Sequence, residues 1–206
     1  TGTDSNERDR WFVRGQMLLE PTSDFSIRLI ADYDIIGLQE IDAGSRRSRY
    51  QNQIEAVARE AGLAYWYVQV NRDMGRVAQH GLGLISRYKP FNVEEHKLPG
   101  RVPGRGALIA RFGTPANALT VAVTHLSLGA ASRAQQLAAI CELVAHDEHV
   151  ILMGDTNCTT RELIADPTLA ASSLRVYDRL LPTFPAWRPR RGIDHILRSD
   201  TLDIAD

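Results

Sequence analysis

The chain has 206 residues, of which 44% are hydrophobic and 24% are charged, and these ordinary fractions exclude a disordered or a collagen-like protein. Its 24 basic and 25 acidic residues give a formal net charge of -1, which lacks the basic excess of a protein that binds nucleic acid mainly through bulk charge. Cys141 and Cys158 are the only cysteines, so the sequence offers no disulfide framework.

The first predicted elements are a helix capped at Ser23 and, after it, a buried strand over residues 34–40. This strand ends in the carboxylate of Glu40. A second helix is predicted over residues 51–60, because apolar side chains recur there at helical spacing. It is expected to stop at Gly62, a residue that commonly terminates helices.

Short apolar runs bounded by turn residues predict a series of strands. They cover residues 64–70, 82–86, 107–112, 119–124, 150–153 and 193–197. One amphipathic helix, over residues 132–146, interrupts the series. Many strands with few helices, not in strict alternation, favour an α+β layered sandwich. Because the sequence contains no linker or internal repeat, we expect a single domain over residues 1–206.

Polar side chains lie at the ends of several predicted strands, where burial without a partner is costly. They are Glu40, His125, Asp155, Asn157 and Asp194. Each has an ordinary explanation, such as a surface carboxylate, a structural histidine or an Asx turn. Their occurrence together in one small domain predicts a site. Carboxylates and an amide oxygen without cysteine favour Mg²⁺ or Mn²⁺ over zinc.

Five motifs contain these residues and the strands around them. They are LQEID at 38–42, GLGLISR at 81–87, THL at 124–126, MGDTN at 153–157 and GIDHIL at 192–197. In this order they resemble the endonuclease/exonuclease/phosphatase superfamily, from about residue 24 to residue 200. The resemblance implies a DNase I-like, four-layered α/β/β/α sandwich of two mainly antiparallel sheets. It also implies hydrolysis of phosphoester bonds that depends on a divalent metal.

The resemblance also implies a role for each polar residue. Glu40 matches the glutamate that ligates the metal, and Asp155 matches the aspartate that orients or deprotonates the attacking water. Asn157 matches the amide that holds a phosphate oxygen or the nucleophile, and His125 matches a histidine that contacts the phosphate. Asp194 matches an aspartate that orients a histidine near the chain end. A metal would supply positive charge to the phosphoryl oxygens, and the other groups would handle protons and developing charge.

Two parts of the family pattern are not found in the sequence: a first strand that ends in asparagine and a last strand with a Ser-Asp-His motif. Asn6 does not match the first, because no apolar run precedes it, and His195 directly follows the pairing aspartate. Since both strands would be central, their loss would leave unpaired edges. We therefore expect a longer protein, with an inactive relative as the alternative. Thr156 stands where the family commonly has Phe or Leu.

Arginine-rich loops at 46–49, around Arg105 and at 188–191 are candidates for a phosphate-binding rim. Arginine suits bidentate contacts to phosphate, so Arg105 and Arg191 are predicted to bind substrate, together with Trp187. The plain alternatives are solvated loops and, for Trp187, packing on a sheet. The bias of 22 arginines to two lysines is equally explained by the base composition of the genome.

These observations predict an Mg²⁺- or Mn²⁺-dependent phosphodiesterase or phosphatase. A small or lipid-linked phosphoester is favoured over DNA, given the net charge of -1 and the scarcity of lysine. A DNA endonuclease is the alternative, since GLGLISR resembles a segment of abasic-site endonucleases, and a non-catalytic binding module is a third. The longest run without charged side chains, residues 112–132, contains proline and asparagine and is no membrane span. No signal-peptide pattern opens the sequence, and we expect a cytoplasmic monomer.

Overall fold

The computed structural model describes residues 34–177, 182–185 and 187–202 of the chain. The helix predicted to start at Ser23 and the segment around Asn6 lie outside the described residues. Within the described part, the strands form one sheet of three strands and one of six.

The smaller sheet is antiparallel and is covered by one helix. Its strands are β1 (Ile35–Ile41), β2 (Tyr65–Asp73) and β3 (Gln79–Ser86), in the order β1-β3-β2. The helix α1 (Gln53–Ala61) joins β1 to β2. It ends at Gly62, which has a φ of 67° and adopts the left-handed conformation that glycine accepts at a helix end.

The larger sheet is mixed. Its strands are β4 (Asn92–Lys97), β5 (Gly106–Thr114), β6 (Asn117–His125), β7 (His149–Asp155), β8 (Leu174–Val176) and β9 (Asp194–Ser199). Their order is β4-β5-β6-β7-β9-β8, and only the pairing of β6 with β7 is parallel. That pairing requires a crossover, which α2 (Ala130–Leu143) provides.

Two short helices, α3 (Thr160–Ile164) and α4 (Pro167–Ala171), follow β7. A capping box at Thr159 begins α3, where Glu162 bonds back to the cap residue. The side chain of Asp166 caps α4. Among the described residues, every helix is too short or too polar to span a membrane.

Three apolar clusters separate the layers. The first lies between α1 and the smaller sheet and includes Ile54, Ala58 and Leu38. The second lies between the two sheets, where Leu84 packs in one cluster with Val123. The third lies between the larger sheet and α2 and α4, and its buried members include leucines of both helices. Helix, sheet, sheet and helix therefore form four layers, which confirms the predicted α+β sandwich.

Two strands of the larger sheet were not predicted from the sequence, one because it is polar and one because it is short. The strand β4 was not predicted, because its sequence NVEEHK has one apolar residue. It is an edge strand that pairs only with β5 in the described structure, and charged side chains are typical of such edges. The three-residue strand β8 was also not predicted, since it is too short for a periodic pattern.

The strand β1 lies very close to the larger sheet. A Cβ atom at Gly37 would come within 2.6 Å of the Sδ atom of Met153 and 3.1 Å of Val123. Glycine at this position therefore allows the backbone of β1 to pack directly on β6 and β7. This contact brings the end of β1 close to the carboxyl ends of the two parallel strands.

Candidate active site

Glu40 lies on a β-bulge. Gln39 pairs with Leu82 and Ile41 pairs with Gly81, so Glu40 is an extra residue in β1. Its φ is 56°, a conformation that is costly for a residue with a side chain. The bulge turns the carboxylate out of the sheet, and it is 51% exposed although both neighbours in the strand are buried. Bulges of this kind re-aim side chains beside active sites.

The last residues of β6 and β7 and the first residue of β9 share one face of the larger sheet. The register pairs His125 with Asp155, and Asp155 with Asp194. Residues paired across neighbouring strands point to the same side, here the side that faces the smaller sheet, because Val123 and Met153 two residues earlier lie between the sheets. The site therefore occupies the open end of the interface between the sheets.

His125 lies between two carboxylates. Its Nδ1 atom is 3.8 Å from Oε1 of Glu40, and its Nε2 atom is 3.7 Å from Oδ2 of Asp155. Both distances are within the range of ion pairs but longer than a direct hydrogen bond. An oxygen atom of water or of a ligand can bridge such a gap.

The loop after β7 is held by its own hydrogen bonds. The backbone N–H of Asn157 donates to Oδ1 of Asp155 at 2.9 Å, and the amide Nδ2 of Asn157 donates to the carbonyl of Leu126 at 2.8 Å. The φ of Asn157 is 51°, a left-handed conformation in which asparagine is enriched. The loop thus directs Oδ2 of Asp155 toward His125 and ties β7 to the end of β6.

Gly154 makes this close approach possible. Its φ is 149°, and a Cβ atom there would lie 1.9 Å from the carbonyl oxygen of Thr124. Any other residue would push β6 and β7 apart at the site.

A buried histidine supports the same loop from behind. His195 lies 2.8 Å from the hydroxyl of Thr156 through Nδ1 and 2.9 Å from the hydroxyl of Thr160 through Nε2. The Thr156 hydroxyl also donates to the carbonyl of Ile193. Burial lowers the pKa of His195 to about 4, so the ring is neutral at neutral pH. Neither His195 nor Thr156 was predicted from the sequence to have a role in the site, yet together they hold the loop that carries Asp155.

A cavity of about 300 Å³ opens between these groups. It is lined by Gln39, Glu40, Arg105, His125, Leu128, Asp155, Asn157, Phe184 and Ile193. Burial lowers the pKa of Arg105, and the charges of Glu40 and Asp155 oppose this effect. Arginine nevertheless stays charged in proteins. The cavity is therefore lined by one permanent cation and two carboxylates.

Of the three residues predicted to bind substrate, one lines the cavity and two do not. Arg105 lines the cavity. Arg191 does not, but its guanidinium lies 5.4 Å from the ring of Phe184, which does line it. Trp187 is 85% exposed, so the alternative that it packs on a sheet is wrong. The sequence missed Leu128 and Phe184, because loop residues at a rim follow no periodic pattern.

The described residues contain no group of three or more His, Cys, Asp and Glu side chains arranged around a metal position. Mg²⁺ is often bound by one or two carboxylates, with water and phosphate oxygens as the other ligands. Glu40 fits that requirement, since its carboxylate faces the cavity and is half exposed. Zinc would need more nitrogen or sulfur ligands. The donor set is therefore suited to a hard divalent cation.

Comparisons with known proteins agree with this architecture. The sequence model of the Endonuclease/Exonuclease/phosphatase family matches residues 13–206, whereas no curated protein matches the chain. An endonuclease/exonuclease/phosphatase from Beutenbergia cavernae has a similar structure, with a TM-score of 0.62 and 20% identity. The match covers 84% of this chain and 57% of that chain.

Two further solved structures share the fold. TDP2 from D. rerio, complexed with a single-strand DNA product, has a TM-score of 0.59 and 18% identity, over 81% of this chain and 70% of that one. Sphingomyelinase C from Streptomyces griseocarneus has a TM-score of 0.58 and 18% identity, over 82% and 72%. At such identities the likeness concerns the fold.

Proposed function

This chain belongs to the endonuclease/exonuclease/phosphatase family, and from that membership we propose that it hydrolyses a phosphoester bond with the help of a divalent cation, Mg²⁺ or Mn²⁺. The observation that carries the proposal is the position of His125 between the carboxylates of Glu40 and Asp155, at distances of 3.8 and 3.7 Å. These groups, with Asn157 and Arg105, surround one cavity large enough for a phosphate ester.

Asp155 is the proposed base. Its Oδ1 atom accepts the N–H of Asn157, and its Oδ2 atom lies 3.7 Å from Nε2 of His125. A water molecule beside Oδ2 would lose a proton to this carboxylate as its oxygen forms a bond to phosphorus. The ester P–O bond breaks in the same displacement, and the leaving oxygen takes up a proton from solvent. In the family pattern the aspartate at the position of Asp194 orients a histidine, and in the sheet Asp194 lies opposite Asp155.

Positive charge and hydrogen-bond donors would stabilise the transition state. A divalent cation held by Glu40 would polarise the phosphoryl oxygens when bound. Arg105 supplies a permanent cation that lines the same cavity, and His125 offers a ring N–H to a phosphate oxygen. The remaining amide hydrogen of Asn157, whose other one is committed to the Leu126 carbonyl, can donate to the nucleophile or to the phosphate.

Hydrolysis of bis-p-nitrophenyl phosphate tests this proposal. We expect turnover that requires Mg²⁺ or Mn²⁺ and that stops when EDTA is added. Turnover that is unchanged by EDTA would contradict the metal dependence. No turnover together with no Mn²⁺ binding would instead favour a non-catalytic binding module.

A further inference from the structure

A second cavity adjoins the candidate active site, and we propose that it binds a second phosphate group of the substrate, close to the phosphoester that is cleaved. This inference rests on the proposed function, because the scissile phosphoester is taken to lie in the first cavity. The second cavity has a volume of about 200 Å³. Since one water molecule occupies about 30 Å³, the space equals about seven waters and accommodates a phosphate group.

The two cavities share one wall. Glu40, Arg105 and His125 line both of them. A ligand whose phosphoester lies beside Asp155 can therefore extend past these three side chains into the second cavity. A substrate that filled both cavities would carry its second charged group a short distance from the reacting phosphorus.

The second cavity is lined by basic and neutral polar side chains and also by the apolar side chains of Leu82, Val102 and Pro103. Arg72, Arg105 and His80 contribute basic side chains, and Glu40 on the shared wall is the only carboxylate among its lining residues. Arg47 extends this basic region, since its Nη1 atom lies 3.2 Å from Nδ1 of His80. Burial and the charge of Arg47 lower the pKa of His80, with a further contribution from Arg72. Two arginines around a small cavity match a phosphate group, which their planar forks bind well.

The backbone of the smaller sheet is shaped to form this cavity. The pairing of β2 with β3 is irregular between Val70 and Arg72, so Asn71 is an extra residue in β2. Gly81 of β3 is the partner of Val70 on one side and of Ile41 on the other. The bulge at Asn71 and the bulge at Glu40 therefore occur at the same level of the sheet. The bulge at Asn71 places its residue in the lining of the second cavity, and the bulge at Glu40 places its residue in the lining of both, as bulges beside functional sites do.

Asn71 also carries an unused acceptor. Its Oδ1 atom is buried and accepts no hydrogen bond within the described structure, although the residue lines the second cavity. A buried acceptor without a donor is unfavourable. This atom has almost no accessible surface and packs against Gly106, where a Cβ atom would lie 2.2 Å from it, so a ligand in the cavity does not reach it. The two arginines are therefore the groups that would select the ligand, and a phosphorylated sugar or a nucleotide unit next to the cleaved bond carries the phosphate that they would bind.

The test compares inhibitors that differ only in their number of phosphates. Thymidine 3′-phosphate, thymidine 5′-phosphate and thymidine 3′,5′-bisphosphate are assayed against hydrolysis of bis-p-nitrophenyl phosphate. We expect the bisphosphate to have an inhibition constant at least about tenfold lower than either monophosphate, because it adds one charge-assisted contact. A bisphosphate that is no better than the monophosphates would overturn the inference.

One arginine variant and a matched control test whether the preference for the bisphosphate comes from the second cavity. We expect Arg72→Gln to abolish the preference for the bisphosphate. Arg76→Gln is the matched control, since Arg76 lies in the same hairpin and is exposed but lines neither cavity. A preference that survives Arg72→Gln, or that is lost equally in Arg76→Gln, would overturn the assignment.

Calorimetric binding separates this inference from the proposed function. If no phosphodiester is hydrolysed in the presence of metal, the proposed function fails. The ratio of dissociation constants for the bisphosphate and the monophosphates, in the chain and in Arg72→Gln, still tests the second cavity. Ribose 5-phosphate and ribose 1,5-bisphosphate provide the further comparison. A preference that appears without the base identifies a sugar phosphate as the source, and one that needs the base identifies a nucleotide.

Discussion

The two walls of the candidate active site are built in opposite ways. On the wall from the smaller sheet, Glu40 projects from a bulge with its carboxylate 51% exposed and 3.8 Å from His125. On the wall from the larger sheet, Asp155 and Asn157 are held by two hydrogen bonds, and His195 is buried behind them. An open carboxylate is suited to a metal whose other ligands are exchangeable. A fixed carboxylate is suited to a proton transfer that needs exact placement.

The exposure of Glu40 does not come from a loose loop. The bulge exposes Glu40, but the residues immediately after it are firmly anchored. Asp42 accepts hydrogen bonds from the backbone N–H groups of Gly44, Ser45 and Gln79, and also from the hydroxyl of Ser45. Burial, which raises the pKa of Asp42, is outweighed by these hydrogen bonds, and the pKa lies far below its usual range. On this wall only the side chain of Glu40 is exposed to solvent at the bulge, while the loop that follows it is held by hydrogen bonds.

The largest effect is expected on the fixed wall. Asp155→Asn keeps an oxygen that can accept the N–H of Asn157, so the loop is retained while the proposed base is lost. We expect kcat/KM for bis-p-nitrophenyl phosphate to fall by at least about a hundredfold. His125→Ala is expected to reach a similar loss, because it removes the donor between the two carboxylates.

Asp200→Asn is the control for Asp155→Asn. Asp200 is exposed and pairs with Arg175, away from the cavity, and its variant is expected to retain normal turnover. Near-normal turnover of Asp155→Asn would show that Asp155 is not the base. The proposed difference in role between the two walls would then be wrong.

On the wall that carries Glu40, we expect a smaller effect, on metal binding. Glu40→Gln should weaken Mn²⁺ binding by about 10- to 100-fold, since the neutral amide replaces the charged ligand of the ion. Part of the lost turnover should return at higher Mn²⁺ concentration, which cannot happen for Asp155→Asn. Titration calorimetry and turnover at several metal concentrations measure both quantities.

Glu60→Gln is the matched control for Glu40→Gln, because the side chain of Glu60 is 82% exposed at the end of α1. It should bind Mn²⁺ as the unchanged chain does. Equal Mn²⁺ affinity in Glu40→Gln would place the metal elsewhere and leave Glu40 without the role proposed for it.

The sequence predicted the residues of the two walls better than their conformations. Strand ends at Glu40, His125 and Asp155 follow from apolar runs that stop at a polar residue, and the pairing of strands brings those ends together. The left-handed Asn157 is also accessible to sequence reasoning, since asparagine tolerates that conformation. The bulge at Glu40 is not, because glutamate has no preference for a positive φ and the bulge depends on packing between sheets.

Residues that act through long-range contacts were missed for the same reason. Phe184 reaches the cavity from a loop far along the sequence, and His195 meets Thr156 and Thr160 only once β9 lies beside β7. A polar residue within an apolar strand signals that a partner exists, but it does not say which residue the partner is. His195 carried that signal, as a histidine followed by Ile196 and Leu197.

The smallest effect concerns His195 and depends on pH. Its pKa is about 4 in the folded chain and about 6.5 when unfolded, so the unfolded state binds more protons between these values. The stability that the neutral ring contributes is therefore complete above pH 6.5 and is lost as the pH falls toward 4. We expect about 2 kcal/mol less free energy of unfolding at pH 5 than at pH 7 from this residue.

Urea unfolding at pH 7 and pH 5 measures this loss, and His195→Gln should reduce the difference between the two pH values. His146→Gln, at an exposed histidine, should leave it unchanged. A pH dependence that is the same in His195→Gln as in the unchanged chain would show that the neutral ring is not what holds the loop. If the dependence is reduced, turnover of the same variant shows whether the rigidity of this wall matters for Asp155. If the rigidity of this wall positions Asp155, kcat should fall in His195→Gln while Mn²⁺ affinity stays unchanged, because the proposed metal ligand, Glu40, lies on the opposite wall.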